Sequence, residues 1–302
     1  MNGERAPADM AELARPRSAP DLRGAFNDAS RIAPGGRAPG YKIDDLFDAV
    51  MQEDARRVQL IISSGVNVNS KNDNGDTALG IAAKEGKTRV IGTLMQNKAD
   101  PWLGDRVNRT PMRLVVEKGH VETLGEMLKH GISPNAATPD GVRPLEIAIT
   151  HMATRPRGRE IFDALMGANA DVSQVPADNT TLVMIAAAAD NDYALKALIA
   201  KKASIGGVST HGQSPLTVAA RNNSVRSAKV LLEAGADVTH VNDQGRTASQ
   251  EAAHAGFPEL AKVLEAAERK YVENIMNAGT GQKTHAPKTA MFKKRGDGQK
   301  PK

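Results

Sequence analysis

The sequence predicts an all-α repeat solenoid: a stack of about seven helix-turn-helix units with β-turn fingers between them and disordered N- and C-terminal tails. Three observations predict it. First, Gly75, Asn108 and Gly141 stand 33 residues apart, and so do Asn179, Gly212 and Gly245. Second, the residue that closes each unit keeps the same step, falling at Gly65, Lys98, Gly131, Asn169, Lys202 and Gly235. Each series contains one step of 38, from Gly141 to Asn179 and from Gly131 to Asn169. Two separate landmarks thus place five extra residues in the same unit. Third, short apolar stripes at helical spacing lie between the landmarks.

The units follow in order. Residues 1–40 read as a disordered lead rich in Ala, Arg and Pro, with prolines at 7, 16, 20, 34 and 39. Residues 41–268 form the repeat domain, divided at about 41–70, 71–103, 104–136, 137–174, 175–207, 208–240 and 241–268. In the first unit Leu46, Phe47, Val50 and Met51 make one stripe; Val58, Ile61 and Ile62 make the other. The second pairs Leu79, Ile81, Ala82 and Ala83 with Val90, Ile91, Leu94 and Met95. The third pairs Met112, Leu114 and Val115 with Val121, Leu124, Met127 and Leu128. The fourth carries the insertion, where Pro156 and Gly158 predict a long loop exposing Arg155, Arg157 and Arg159. The fifth is alanine-rich, Ile185-Ala186-Ala187-Ala188-Ala189, which suits closely packed helices. The seventh has Ser249 and Glu251 where apolar residues are expected, which predicts a polar outer face on a closing cap. Leu260, Leu264, Ala267, Tyr271 and Ile275 extend the last helix through 269–279, and 280–302 is a basic disordered tail.

Thr110-Pro111-Met112-Arg113-Leu114, Arg143-Pro144-Leu145-Glu146-Ile147-Ala148 and Ser214-Pro215-Leu216-Thr217-Val218-Ala219-Ala220 resemble the Thr-Pro-Leu-His-x-Ala signature of ankyrin repeats. Glu233-Ala234-Gly235-Ala236-Asp237-Val238 resembles the close of such a repeat. The likeness covers about 41–268. It departs from the family at the His after Leu, where Gly80, Arg113, Glu146, Met184, Thr217 and Gln250 stand instead. Lys98 and Lys202 occupy the closing Gly position, where a left-handed backbone crowds a Cβ atom.

Composition excludes several functions. There is no Cys, so disulfides, Cys-based zinc sites and thiol catalysis are ruled out. No stretch reaches the ~18 apolar residues of a transmembrane segment. The residues after Met1 do not read as a secretory signal, and a cytoplasmic location is expected. The net charge of +5 sits in the tail: residues 269–302 hold nine Lys/Arg against two Asp/Glu. Past Tyr271 only Phe292 interleaves these charges, so the tail offers at most weak nonspecific contact with nucleic acid or an anionic membrane. The seven His residues show no metal-ligand spacing, and no catalytic set or cofactor motif emerges. Gly281-Gln282-Lys283-Thr284 lacks the earlier Gly of a phosphate-binding loop, Met276 holding that position.

The resemblance implies a non-enzymatic, monomeric adaptor that binds a protein partner on a concave face lined by finger tips and first-helix flanks. The tip residues are Asp73, Asn74, Arg106, Asn108, Arg109, Asp140, His211, Gln213, Asp243 and Arg246. The flank residues are Lys84, Glu85, Glu117, Lys118, Arg221 and Asn222. An alternative is a secreted bacterial effector docking a host protein, with the basic tail as its export signal. The Ala/Arg-rich composition favours a bacterial source.

Overall fold

The structure, a computed structural model, describes residues 40–139, 141–152, 157–173 and 178–279. The predicted lead and tail, Asp140 and Arg155 lie outside these residues. The chain divides after Gly40, and all fourteen helices found among the described residues follow that point. The odd-numbered helices are α1 (Ile43–Met51), α3 (Ala78–Glu85), α5 (Pro111–Lys118), α7 (Pro144–His151), α9 (Leu182–Ala188), α11 (Pro215–Arg221) and α13 (Ala248–His254). The even-numbered ones are α2 (Ala55–Ser63), α4 (Thr88–Gln96), α6 (Val121–Lys129), α8 (Gly158–Gly167), α10 (Asp192–Ala200), α12 (Val225–Glu233) and α14 (Pro258–Gly279). Each odd helix packs on the next odd helix and on the even helix that follows it. The result is two rows of helices, an inner odd row and an outer even row, with the fingers projecting beside the inner row. Among the described residues the only β pairing is one isolated bridge, Lys71 to Thr77.

The signature residues explain why each inner helix begins where it does. The hydroxyls of Thr77, Thr110, Thr181, Ser214 and Thr247 accept the backbone N–H three residues on, in Gly80, Arg113, Met184, Thr217 and Gln250. Pro111, Pro144 and Pro215 fill the first helical position, where a missing N–H leaves no bond unmade. In α7 the cap is Arg143, whose side chain makes no such bond.

Left-handed backbone punctuates the stack. Both predicted landmark series adopt it throughout, Lys98 at φ 64° and Lys202 at φ 63° included. A third series was not read from the sequence: Glu53, Gly86, Gly119, Arg157, Asp190, Asn223 and Gly256 turn the chain from inner to outer helix. It also steps by 33, with 38 between Gly119 and Arg157. Every described residue with positive φ, nine non-glycines and ten glycines, belongs to one of the three series. Glu53 and Asp190 recover part of their strain through the next unit. Glu53 accepts the Arg89 N–H (3.4 Å), and Asp190 accepts from Ser227 N–H (2.9 Å) and Arg226 (3.0 Å). At Gly86 a Cβ atom would meet the His120 ring, whose Nε2 donates to the Lys84 carbonyl at 3.0 Å. His120 is therefore a structural tie between units.

The apolar stripes form one continuous core from Leu46 to Leu264, with Phe162, Leu79, Leu94 and Met127 among its fully buried members. Between α8 and α10 the contact is largely aromatic. Phe162 and Tyr193 meet edge to face at 6.1 Å, Tyr193 Oη donates to Asp163 (2.7 Å), and the Arg159 guanidinium lies 3.7 Å from the Tyr193 ring centre.

Two expectations are corrected. Arg157 and Arg159 are exposed as expected, but Arg159 lies within α8 and not on the loop, and Arg157 is not free. Gly158 opens α8 because a Cβ there would strike the Met152 backbone, and Arg157 pairs with Glu122 (2.7 Å) and Glu160 (2.6 Å). Ser249 and Glu251 do not give the cap its polar face; both are buried, Glu251 bonded to Arg246 (2.6 Å) and Asn242 (3.1 Å). The polar outer surface belongs to α14, which buries Leu260, Ala261 and Leu264. Beyond them Tyr271, Val272, Ile275 and Met276 are exposed.

Candidate functional site

Two clefts among the described residues of the inner face differ in their chemistry. The smaller lies between the fingers before α3 and α5, has a volume of about 240 Å³ and is lined by Asn74, Asp76, Lys84, Arg106 and Arg109 among others. Its walls are already tied together. Lys71 Nζ donates to the Gly104 carbonyl (2.7 Å), the Arg106 guanidinium donates to the Asp73 carbonyl, and Arg109 pairs with Asp105 at 2.7 Å. Asp105, 8% exposed, also accepts the N–H groups of Val107 (3.0 Å) and Arg109 (2.9 Å). Burial alone would raise the Asp105 pKa, but the bonds from Arg109 and Val107 outweigh it and hold the carboxyl below its usual range.

The larger cleft, about 750 Å³, lies across α7, α9 and α11 and the finger before α11. Its floor is apolar: Met184, Ile185, Ala188, Ala189 and Val218. Around it stand Thr150, Thr180, Ser209, His211, Gln213 and Arg221. Ala188 and Ala189 make the opening. They are exposed at positions where the neighbouring units carry Lys84-Glu85, Glu117-Lys118, Thr150-His151 and Arg221-Asn222.

Two polar groups here lack a hydrogen-bond or ion-pair partner among the described residues. Gln213 is 8% exposed, yet its Oε1 is buried without a hydrogen bond. Such an atom costs about 1–3 kcal/mol relative to a satisfied or apolar one. Arg221 is exposed and forms no ion pair among the described residues, though its charge adds to the lowering of the Glu251 pKa. One turn before Thr150, Glu146 has a second orphan, Oε1, 3.2 Å from Arg143 Nε in an ion pair without hydrogen-bond geometry. Burial raises the Glu146 pKa, and Asp178 adds to the rise against the pull of Arg143. Asp178, beside His211, is held ionised by the N–H and hydroxyl of Thr180.

Of the sequence-predicted residues, the structure gathers His211, Gln213 and Arg221 at the larger cleft and Asn74, Lys84, Arg106 and Arg109 at the smaller. Asp73 and Asn108 are exposed tips beside the smaller one. Glu117 is paired with Arg113 (2.7 Å), Glu85 and Lys118 are exposed, and Asn222 bonds back to the Val218 carbonyl (2.8 Å). Asp243 lies against Gly212, where a Cβ would strike it, and Arg246 is committed to Glu251. Asp140 is outside the described residues. Sequence reading missed Thr150, Thr180, Ser209 and the floor of Met184, Ile185, Ala188, Ala189 and Val218. The available signal was the Ala188-Ala189 pair where the other units hold polar residues. Among the described residues no group of three or more His, Asp or Glu side chains could hold a metal ion. No helix among them is long and apolar enough to cross a membrane.

A family model for ankyrin repeats, in three copies, matches residues 46–138, 150–242 and 183–274. The chain is 26% identical over 223 residues to a putative palmitoyltransferase, ZDHHC13, of Danio rerio, a match covering 73% of this chain and 34% of that protein. The chain spans about a third or less of the curated relatives it matches, so their whole activities do not transfer. Solved structures with a similar fold include the human ASB11 ankyrin repeat domain (TM-score 0.59, 22% identity, 72% of this chain and 96% of that one) and the ankyrin repeat domain of Bcl-3 (0.63, 21%, 74% and 99%). At such identities they establish the fold alone. These relatives from Danio rerio and human lend no support to the bacterial origin expected from composition.

Proposed function

The chain belongs to the ankyrin-repeat family, and on that premise we propose that it is a non-enzymatic, monomeric cytoplasmic adaptor holding a protein partner on its inner face, the concave side in this family's stacks. The binding centre is the cleft across α9 and α11. One observation carries this reading: an apolar floor flanked by two polar groups that find no hydrogen bond or ion pair among the described residues, Gln213 Oε1 and the Arg221 guanidinium. Buried polar atoms are normally paired, and an unpaired one in a cleft fits a surface completed by another molecule. The smaller cleft lies outside this centre, since Arg106, Arg109 and Asp105 are already engaged by the protein itself.

The test is photo-crosslinking of the full chain in its native cell extract. A crosslinking residue at Ala188, on the inner face, is expected to capture a discrete protein that the same residue at Lys229, on the outer face, does not. Equal capture from both positions would contradict the assignment.

A further inference from the structure

The chemistry of the larger cleft specifies its partner more closely. Resting on the adaptor reading above, we propose that the cleft takes an extended peptide segment of the partner in which an aliphatic side chain neighbours an Asp or Glu. Three unmet requirements of the cleft converge on that ligand. The floor of Met184, Ile185, Ala188, Ala189 and Val218 needs apolar area to cover it. Gln213 Oε1, in a side chain more than nine-tenths buried, needs an N–H donor. Arg221, exposed and without an ion pair among the described residues, presents a planar fork suited to a carboxylate. A peptide backbone brings the N–H, and its side chains bring the other two. A fatty acid or similar amphiphile has no N–H to offer Gln213.

The charges also set a polarity. Arg221 ends α11, while His211 and the ionised Asp178 stand at the finger end of the same span. Asp178 would repel an acidic side chain there, so the acidic residue lies toward Arg221. The cavity of about 750 Å³ is within the range of ligand clefts and exceeds what one side chain fills. The apolar anchor and its backbone neighbours therefore enter together.

The experiment pans the full chain against a phage-displayed library of random linear peptides, then measures a selected peptide by calorimetry. Enriched peptides are expected to share an aliphatic residue beside Asp or Glu. Ala188→Trp, which fills the cleft from an exposed position, abolishes their binding. Arg221→Glu weakens it about thirtyfold, the size of an interface hot spot, and Lys in place of the peptide's acidic residue restores it. Arg106→Ala and Lys84→Ala leave affinity within about twofold, as rim contacts do. Peptides that bind but ignore the changes at Ala188 and Arg221, and are lost on those at Lys84 and Arg106, would overturn this inference while leaving the adaptor reading standing. Enrichment no greater than on the bare support would count against both.

Discussion

The two clefts on the inner face are built from equivalent parts of the same repeat, yet one is closed by its own residues and the other is left open. Between the fingers before α3 and α5, Arg106, Lys71 and Asp105 spend their hydrogen bonds on neighbouring backbone and on Arg109. Across α9 and α11, Gln213, Arg221 and the two exposed alanines have nothing comparable. The difference teaches that charge on a finger tip is a poor guide to binding. What matters is whether the protein has already used it.

The largest expected contrast sets two identical substitutions against each other. Ala219→Trp, in the fully buried face of α11, has no room and is expected to destabilise the stack by about 3 kcal/mol or more. Ala188→Trp, on the open floor of the cleft, changes stability by less than about 0.5 kcal/mol. Urea titrations followed by circular dichroism separate the two, and equal losses would mean that the cleft is not open. Next in size, Asp105→Ala is expected to lose about 3 kcal/mol by stranding Arg109 and two backbone N–H groups in the closed cleft.

A smaller effect, of opposite sign, tests the backbone series. Lys98→Gly and Lys202→Gly each relieve a left-handed conformation with no side-chain bond to lose, and are expected to stabilise by about 1 kcal/mol. A loss at either site in the same titration would show that the lysine makes a contact worth more than its strain.

The smallest effect is a pH dependence that again contrasts two carboxyls on inner helices. Glu146 has a raised pKa, chiefly from burial, so its ionised form is penalised in the folded protein. Glu146→Gln should therefore stabilise at neutral pH, with the advantage fading as pH falls through the raised folded value and gone below the usual carboxylate range. At Glu251 burial also pulls upward, but Arg246 and Asn242 win and hold the pKa low. Its contribution is full above the usual range and is lost as pH falls through the depressed folded value. Glu251→Gln should thus destabilise at neutral pH and converge on the parent in acid. Denaturant midpoints across the pH range, read for both variants, would refute the assignment if they ran in parallel.

The fold was legible because backbone geometry writes itself into residue type. A left-handed turn selects Gly or Asn, a helix start selects Thr or Ser before Pro, and both recur at fixed spacing. The series through Glu53, Arg157 and Asp190 was illegible for the same reason reversed. Those residues tolerate strain through contacts with adjacent units, and residue type does not announce a contact. Glu251 was misplaced because a carboxylate suggests solvent, whereas Arg246 and Asn242 make its burial possible. At the cleft, sequence supplied His211, Gln213 and Arg221 by position but not the floor, because Ala188 and Ala189 look like packing residues until their neighbours are placed.

Gln213→Leu tests the central claim most directly, with melting temperature and affinity for the selected peptide measured on the same protein. If the cleft is kept unfinished for a partner, the leucine variant melts higher and binds about tenfold more weakly, having traded an orphan acceptor for apolar fill. A variant that melts lower, or that binds the peptide unchanged, would contradict the account.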